Sequence, residues 1–173
     1  MNGNNNENLM TVILDVAHNP PAMDYLRYKL QSTYPNHKFR VVVGMSSDKD
    51  MQLCATSLKQ IVTNDIGRIH LVEAAHPRAA KLEQMWQADP ELQQHATYDI
   101  QDRSITHQIN TAIQQMNQND DANEILVICG SVFLMAEARE ALGFHEPRDS
   151  PYIAELAGAG VRHNQENFGN RTL

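Results

Sequence analysis

The chain has 173 residues, of which 42% are apolar, and carries a formal charge of −7. That length suffices for one core and one domain. The acidic balance, with no Lys/Arg cluster, argues against DNA or RNA as the main ligand, because a nucleic-acid groove needs a basic stripe. No run of about 18 apolar residues is present, so no membrane-spanning helix is expected. Residues 1–8 are polar and asparagine-rich, without a signal-peptide core or an arginine-rich transit pattern, so the expected location is cytoplasmic.

In chain order, residues 1–10 read as a flexible polar N-terminus. Val12, Ile13 and Leu14 form a short apolar run, expected as a buried strand over 11–15. Asn19 before Pro20 reads as a helix start, with Asn as cap and Pro in the first turn. Ala22, Leu26 and Leu30 line that helix over 20–32. A second strand falls at 39–43. A second helix at 49–64 carries Met51, Cys54, Ala55, Leu58, Ile61 and Val62 at helical spacing. A third strand lies at 68–73, and a shorter helix at 79–87 carries Leu82, Met85 and Trp86. A weak fourth strand follows at 96–100. Ser104 caps a helix whose apolar line is Ile105, Ile109, Ala112, Ile113 and Met116. A polar turn at 117–123 precedes a fifth strand at 124–129 and a last helix at 131–142, with Gly143 as its stop. From His145 the pattern fades, and 146–173 reads as a partly disordered tail.

Strands alternating with helices imply an α/β domain over 11–145: a Rossmann-like open sheet, mainly parallel, of five to six strands with helices on both faces. The pattern leaves the strand order open. Cys54 and Cys129 fall on apolar faces and read as two buried thiols, since no Cys-x-x-Cys spacing occurs. The histidines are too scattered for a metal-ligand cluster.

Residues able to do chemistry gather in the turns after the strands, where open α/β sheets bind ligands. Asp15 ends strand one; its ordinary role would be to bond loop amides. His18 is either a satisfied loop histidine or a contact for phosphate or carboxylate, because the helix start beside it offers unpaired amides and a favourable dipole for an anion. Asn19 reads as a cap. Asp48 and Asp50 suit a helix start, whereas Lys49 opposes the dipole by a few tenths to about 1 kcal/mol. Such local conflicts concentrate at functional sites. Gly44 leaves room for a ligand or a loop to come close. Arg78 reads as a surface arginine and Ser131 as an N-cap. Tyr25, Tyr28, Trp86 and Phe133 read as packing residues rather than a base-stacking platform.

The string Asp15-Val16-Ala17-His18-Asn19-Pro20 resembles the Asp-x-Ala-His-Asn-Pro signature of the C-terminal domain of folylpolyglutamate and dihydrofolate synthases, in the Mur ligase superfamily. Three further pieces follow in that family's order. Val41 to Asp50 resembles its strand, glycine and Asp-Lys-Asp segment; His76-Pro77-Arg78-Ala79 its Pro-Arg-Ala turn; Ile128 to Leu134 its Gly-Ser strand-to-helix turn. The resemblance spans Val12 to Leu142.

It implies ATP-dependent amide formation, in which a folate carboxylate is phosphorylated and the amine of glutamate then attacks it. It also implies Asp15 and His18 on the ATP side, with Asp15 accepting from ribose hydroxyls, and Lys49, Ser131 and again His18 on the glutamate side; no residue is expected as a metal ligand, because the histidines are scattered. In these enzymes a Gly-x-x-x-x-Gly-Lys-Ser/Thr loop of the N-terminal domain cradles the triphosphate, and no such loop occurs among this chain's eight glycines. The expectation is therefore the C-terminal half of a ligase: a fragment, a split gene product or a reduced relative. It would use ATP and Mg²⁺, with glutamate and a folate-type acyl acceptor, only beside a complementing N-terminal P-loop domain, and would be inactive alone. Two other readings stay open: a non-catalytic nucleotide- or carboxylate-binding module, and a Rossmann-like protein-interaction domain. A dehydrogenase is disfavoured, because no Gly-x-Gly-x-x-Gly follows strand one.

Overall fold

A computed structural model describes residues 10–63, 65–97, 104–118 and 123–144. Strands β1 (Val12–Leu14), β2 (Lys38–Val43), β3 (Ile69–Leu71), β4 (Ala96–Thr97) and β5 (Glu124–Cys129) alternate with helices. The helices are α1 (Pro20–Thr33), α2 (Met51–Ile61), α3 (Leu82–Gln87), α4 (Leu92–His95), α5 (Ile105–Gln118) and α6 (Val132–Ala141). The sheet runs β1-β5-β2-β3-β4, and every pair is parallel. The last strand in sequence thus lies between the first two, pairing Val12 with Leu126 on one side and Val43 with Cys129 on the other.

The two-residue period of a strand sorts the core into two layers. Val41, Val43, Val127 and Cys129 meet Met23, Leu26 and Leu30 of α1 and Cys54, Leu58 and Ile61 of α2. Val42, Leu126 and Ile128 meet Ile105, Ile109 and Ala112 of α5 and Leu134 and Ala138 of α6. Both faces are covered, which is why β2 and β5 read as near-continuous apolar runs. On the α2 side, Lys59 is tied to Asp89 and Glu91 at 2.7 Å each, holding the segment before α4 against the helix.

A polar network is buried in the amino half of the sheet. Arg40 Nε donates to Glu124 Oε1 at 3.0 Å, and Arg68 Nη1 donates to the same oxygen at 2.7 Å. Arg40 Nη1 also reaches Gly67 O, Gln115 Oε1 and His70 Nε2. A guanidinium only donates, so His70 Nε2 is the acceptor and Nδ1 carries the proton toward Thr97 Oγ1 at 3.1 Å. Burial, reinforced by the Arg40 charge, pushes the His70 imidazole down to about 4.

Several boundaries and surfaces depart from the sequence reading. Helix α2 starts at Met51 with Asp50 as its cap, accepting from Leu53 N at 3.0 Å, so Lys49 lies outside the helix and escapes most of the dipole conflict. Met23 takes the buried place in α1 expected of Ala22, which is only partly covered. Tyr25 and Tyr28, expected to pack, are 63% and 64% exposed, because they fall on the outer face of α1. Of the two expectations for Gly44, a ligand or a loop coming close, the structure shows the loop: a Cβ there would meet Val72 O, just after β3, at 2.9 Å. Helix α4 was not anticipated. The fourth strand is described only as Ala96–Thr97; residues 98–100, the polar N-terminus up to residue 9 and the tail at 146–173 lie outside the described residues. Cys54 and Cys129 are free, buried thiols, as their spacing implied.

Candidate functional site

An all-parallel sheet brings every strand-to-helix turn to one edge, and the strand order sets their sequence along it. The β1 turn carries Asp15 and His18, the β5 turn Gly130 and Ser131, the β2 turn Asp48 and Lys49, and the β3 loop His76 and Arg78. The Gly130-Ser131 turn therefore stands between the two groups that the sequence reading paired. With neighbouring strands about 4.8 Å apart, the ends of β1 and β2, which lead to Asp15 and Lys49, are separated by about 10 Å of edge. They share a face without touching each other.

The β1 turn is built from local bonds. Asp15 N donates to Ile128 O at 3.0 Å, fastening the turn to β5. Asp15 Oδ1 accepts from Ala17 N at 2.7 Å, the loop-bonding role, which leaves Oδ2 as the oxygen a ligand can use. His18 is exposed, and its Nδ1 lies 2.8 Å from Val16 O. A carbonyl only accepts, so Nδ1 carries the proton, and the neutral ring turns the Nε2 lone pair outward. That suits a hydroxyl or amine; only the imidazolium would donate to an anion. Asn19 caps α1, accepting from Ala22 N at 3.0 Å, with Pro20 opening the helix.

The β5 turn depends on a glycine. Gly130 has φ +110°, and a Cβ there would collide with Gly44 O, so β2 and β5 close together only with glycine at this position. Ser131 is buried and caps α6, its Oγ accepting from Phe133 N at 3.2 Å. Its acceptor role is thus partly used in holding the start of α6.

The β2 turn and the β3 loop form one charged corner. Lys49 Nζ lies 3.2 Å from Asp48 Oδ2, and Arg78 Nη2 donates to the same oxygen at 3.1 Å. The bond from Lys49, with the nearby cationic charges, holds the Asp48 carboxyl below its ordinary range. Two cations share one carboxylate, so this trio is net positive, with the carboxylate of Asp50 next to it at the cap of α2. A backbone bridge joins Ser46 to Ala79, Ser47 N donates to Arg78 O at 2.9 Å, and Ala80 N donates to Met45 O at 2.8 Å. Arg78, read as a surface arginine, is indeed exposed, but it is also the second cation of this corner. Nothing in the sequence marks a pairing across 30 positions. The sequence reading also missed that His76 stacks on Phe133, with ring centroids 3.5 Å apart and planes 7° from parallel.

A small void bounded by Val43, Met45, Met51, Leu58, Leu71 and Met85 measures about 10 Å³. That is room for a single water among apolar walls, hence a packing gap. The chemistry of the carboxyl edge lies on an open surface instead.

The family model described as "Mur ligase, glutamate ligase domain" matches residues 2–132. The chain belongs to this family. The dihydrofolate synthase/folylpolyglutamate synthase of Escherichia coli (strain K12) is 28% identical to it over 131 residues, which are 76% of this chain and 28% of that protein. The Mycobacterium tuberculosis folylpolyglutamate synthase, crystallised with ADP and AMPPCP, shares the fold at a TM-score of 0.67 and 22% identity, over 79% of this chain and 30% of that one. A bifunctional folylpolyglutamate synthase/dihydrofolate synthase crystallised with Mn, AMPPNP and L-glutamate superposes with a TM-score of 0.56 at 31% identity, over 76% of this chain and 29% of that one. This Mur ligase C-terminal domain thus spans under a third of the length of these relatives, and its sheet, parallel throughout the described residues with helices on both faces, is the architecture its sequence pattern implied.

Proposed function

We propose that this Mur ligase C-terminal domain presents the nucleotide- and glutamate-facing wall of an ATP-dependent ligase of the folylpolyglutamate/dihydrofolate synthase type, and that the phosphate-holding wall comes from an N-terminal P-loop domain. The observation that carries this reading is the single edge bearing Asp15, His18, Ser131 and the Lys49–Asp48–Arg78 corner in a member of this family. Asp15 Oδ2 serves as acceptor for ribose hydroxyls. Lys49 and Arg78 hold the glutamate carboxylate, with the Ser131 hydroxyl beside them, and His18 Nε2 accepts from a hydroxyl or amine between the two groups.

ATP fits the edge at its sugar end. Among the described residues no three His, Cys, Asp or Glu side chains cluster to hold a metal, so Mg²⁺ and the triphosphate are assigned to the partner domain. Three apolar side chains at the same edge also favour a partner: Val16, Leu53 and Val132 are 48%, 55% and 62% exposed, one in each turn region of β1, β2 and β5. A second domain closing on this edge would cover them.

The test mixes the chain with the N-terminal domain of a folylpolyglutamate synthase and follows glutamate-dependent phosphate release. A charge-assisted bond to a carboxylate is worth about 1.5–3 kcal/mol, so Lys49→Ala should raise the glutamate KM by roughly ten- to a hundredfold. Asp15→Asn, which keeps the Oδ1 bond to Ala17, should act on the ATP KM. The unmixed chain should neither hydrolyse ATP nor ligate glutamate above background. Wild-type kinetics in both variants would reduce the family likeness to a scaffold and leave a binding or interaction module.

A further inference from the structure

The loop from β3 to α3 lies between two walls of the edge. On one side it is bonded to the β2 turn through the Ser46–Ala79 bridge and the Arg78–Asp48 pair. On the other it is docked on α6 at two places: the His76 ring lies flat on Phe133, and Ala75 N donates to Glu137 Oε1 at 3.3 Å. Phe133 and Glu137 are four residues apart and therefore occupy one helix face. That face begins two residues after Ser131, the cap of α6.

His76 joins these contacts to the cationic corner. Its Nδ1 lies 3.1 Å from Arg78 N, and a backbone N–H only donates, so Nδ1 is the acceptor and the proton of the neutral ring is on Nε2. His76 N donates to Ala74 O and its carbonyl accepts from Ala79 N, which closes the turn around Pro77. One imidazole thus fixes the backbone of Arg78 with its ring edge and ties the same loop to α6 with its ring face.

We propose that His76 is a positioning residue: stacked on Phe133 and accepting from Arg78 N, it sets the distance between the Lys49–Asp48–Arg78 corner and the Gly130-Ser131 turn. The consequence for binding rests on reading that corner as a carboxylate site; the consequence for the Arg78 backbone does not.

The test uses the full chain, NMR and L-glutamate as the probe. His76→Phe keeps a ring against Phe133 but deletes the acceptor, Phe133→Leu deletes the stack, and Phe133→Tyr restores an aromatic face. L-glutamate should perturb the Lys49, Arg78 and Ser131 amides of the wild type. His76→Phe and Phe133→Leu should each raise its Kd about five- to tenfold, the scale of one hydrogen bond or ring contact, and Phe133→Tyr should restore it. The melting temperature should fall in Phe133→Leu, since Phe133 packs against the second core layer, and stay near the wild type's in His76→Phe and Phe133→Tyr, so binding is compared well below all four midpoints. The Arg78 amide should exchange with solvent about tenfold faster in His76→Phe alone. A wild-type Kd in His76→Phe overturns the proposal. If the wild type itself ignores L-glutamate, the carboxylate reading falls, and the exchange rate decides: a faster Arg78 amide in His76→Phe upholds the positioning role, and an unchanged one overturns it.

Discussion

The two ends of the sheet hold similar charges in opposite circumstances. At the amino half, Arg40 and Glu124 have side chains 3% and 0% exposed and share their bonds with Arg68, His70 and Gln115. At the carboxyl edge, Arg78 and Asp48 are 60% and 49% exposed, and Lys49 completes the group. A buried ion group cannot exchange its partners for water, so it acts as a constraint on how β2, β3, β5 and α5 fit together. An exposed group can trade a protein partner for a ligand at little cost. Burial, more than residue type, separates the charges that hold the fold from those able to bind.

The comparison breaks most sharply at Glu124. Glu124→Ala leaves the buried Arg40 without its carboxylate, while Arg68 keeps Asp65, and should cost about 3–5 kcal/mol in urea unfolding. Next comes acid. The folded His70 titrates near 4 against an ordinary 6.5. Between those values the unfolded chain takes up a proton that the folded chain refuses. Stability is therefore complete above about pH 6.5 and falls as the pH drops toward 4, by about 3 kcal/mol at most. His70→Asn, which does not titrate, should flatten that part of the stability–pH curve; an unchanged slope would place the acid sensitivity elsewhere. The smallest effect on stability belongs to the carboxyl edge. Asp48→Asn should leave the urea midpoint unmoved while tightening L-glutamate binding about two- to threefold, because the two cations lose their competing anion. Added salt should erase that gain.

The same division governs what could be read from the sequence. The β1 turn was legible because its bonds are local: Asp15 to Ala17, His18 to Val16 and Asn19 to Ala22 all fall within three residues. The helix starts at Asn19 and Ser131 were legible for the same reason. Arg40 and Glu124 are bonded across 84 positions, and in sequence each is only a polar residue within or beside an apolar run. The His76–Phe133 stack was hidden in the same way, since it depends on β5 lying beside β2, and the periodicity of the segments does not encode strand order. The start of α2 was misplaced by two residues because Asp48 and Asp50 are both good caps, and the choice between them is made by the Asp48 bonds to Lys49 and Arg78.

The central position of β5 carries a cost in time. Val12 finds its partner only when Leu126 has been made, and at about 5–20 residues per second a growing chain would wait roughly 6 to 23 seconds for it. During that wait β1 is an apolar strand with nothing to pair with, and β2 has one edge open, the condition in which chains adhere to one another. Closure then joins segments far apart in sequence, a slow kind of step. Gly130 and Ser131 arrive with the same strand, so the carboxyl edge acquires its middle turn last. A complete carboxyl edge thus marks a chain that has been made and paired through β5.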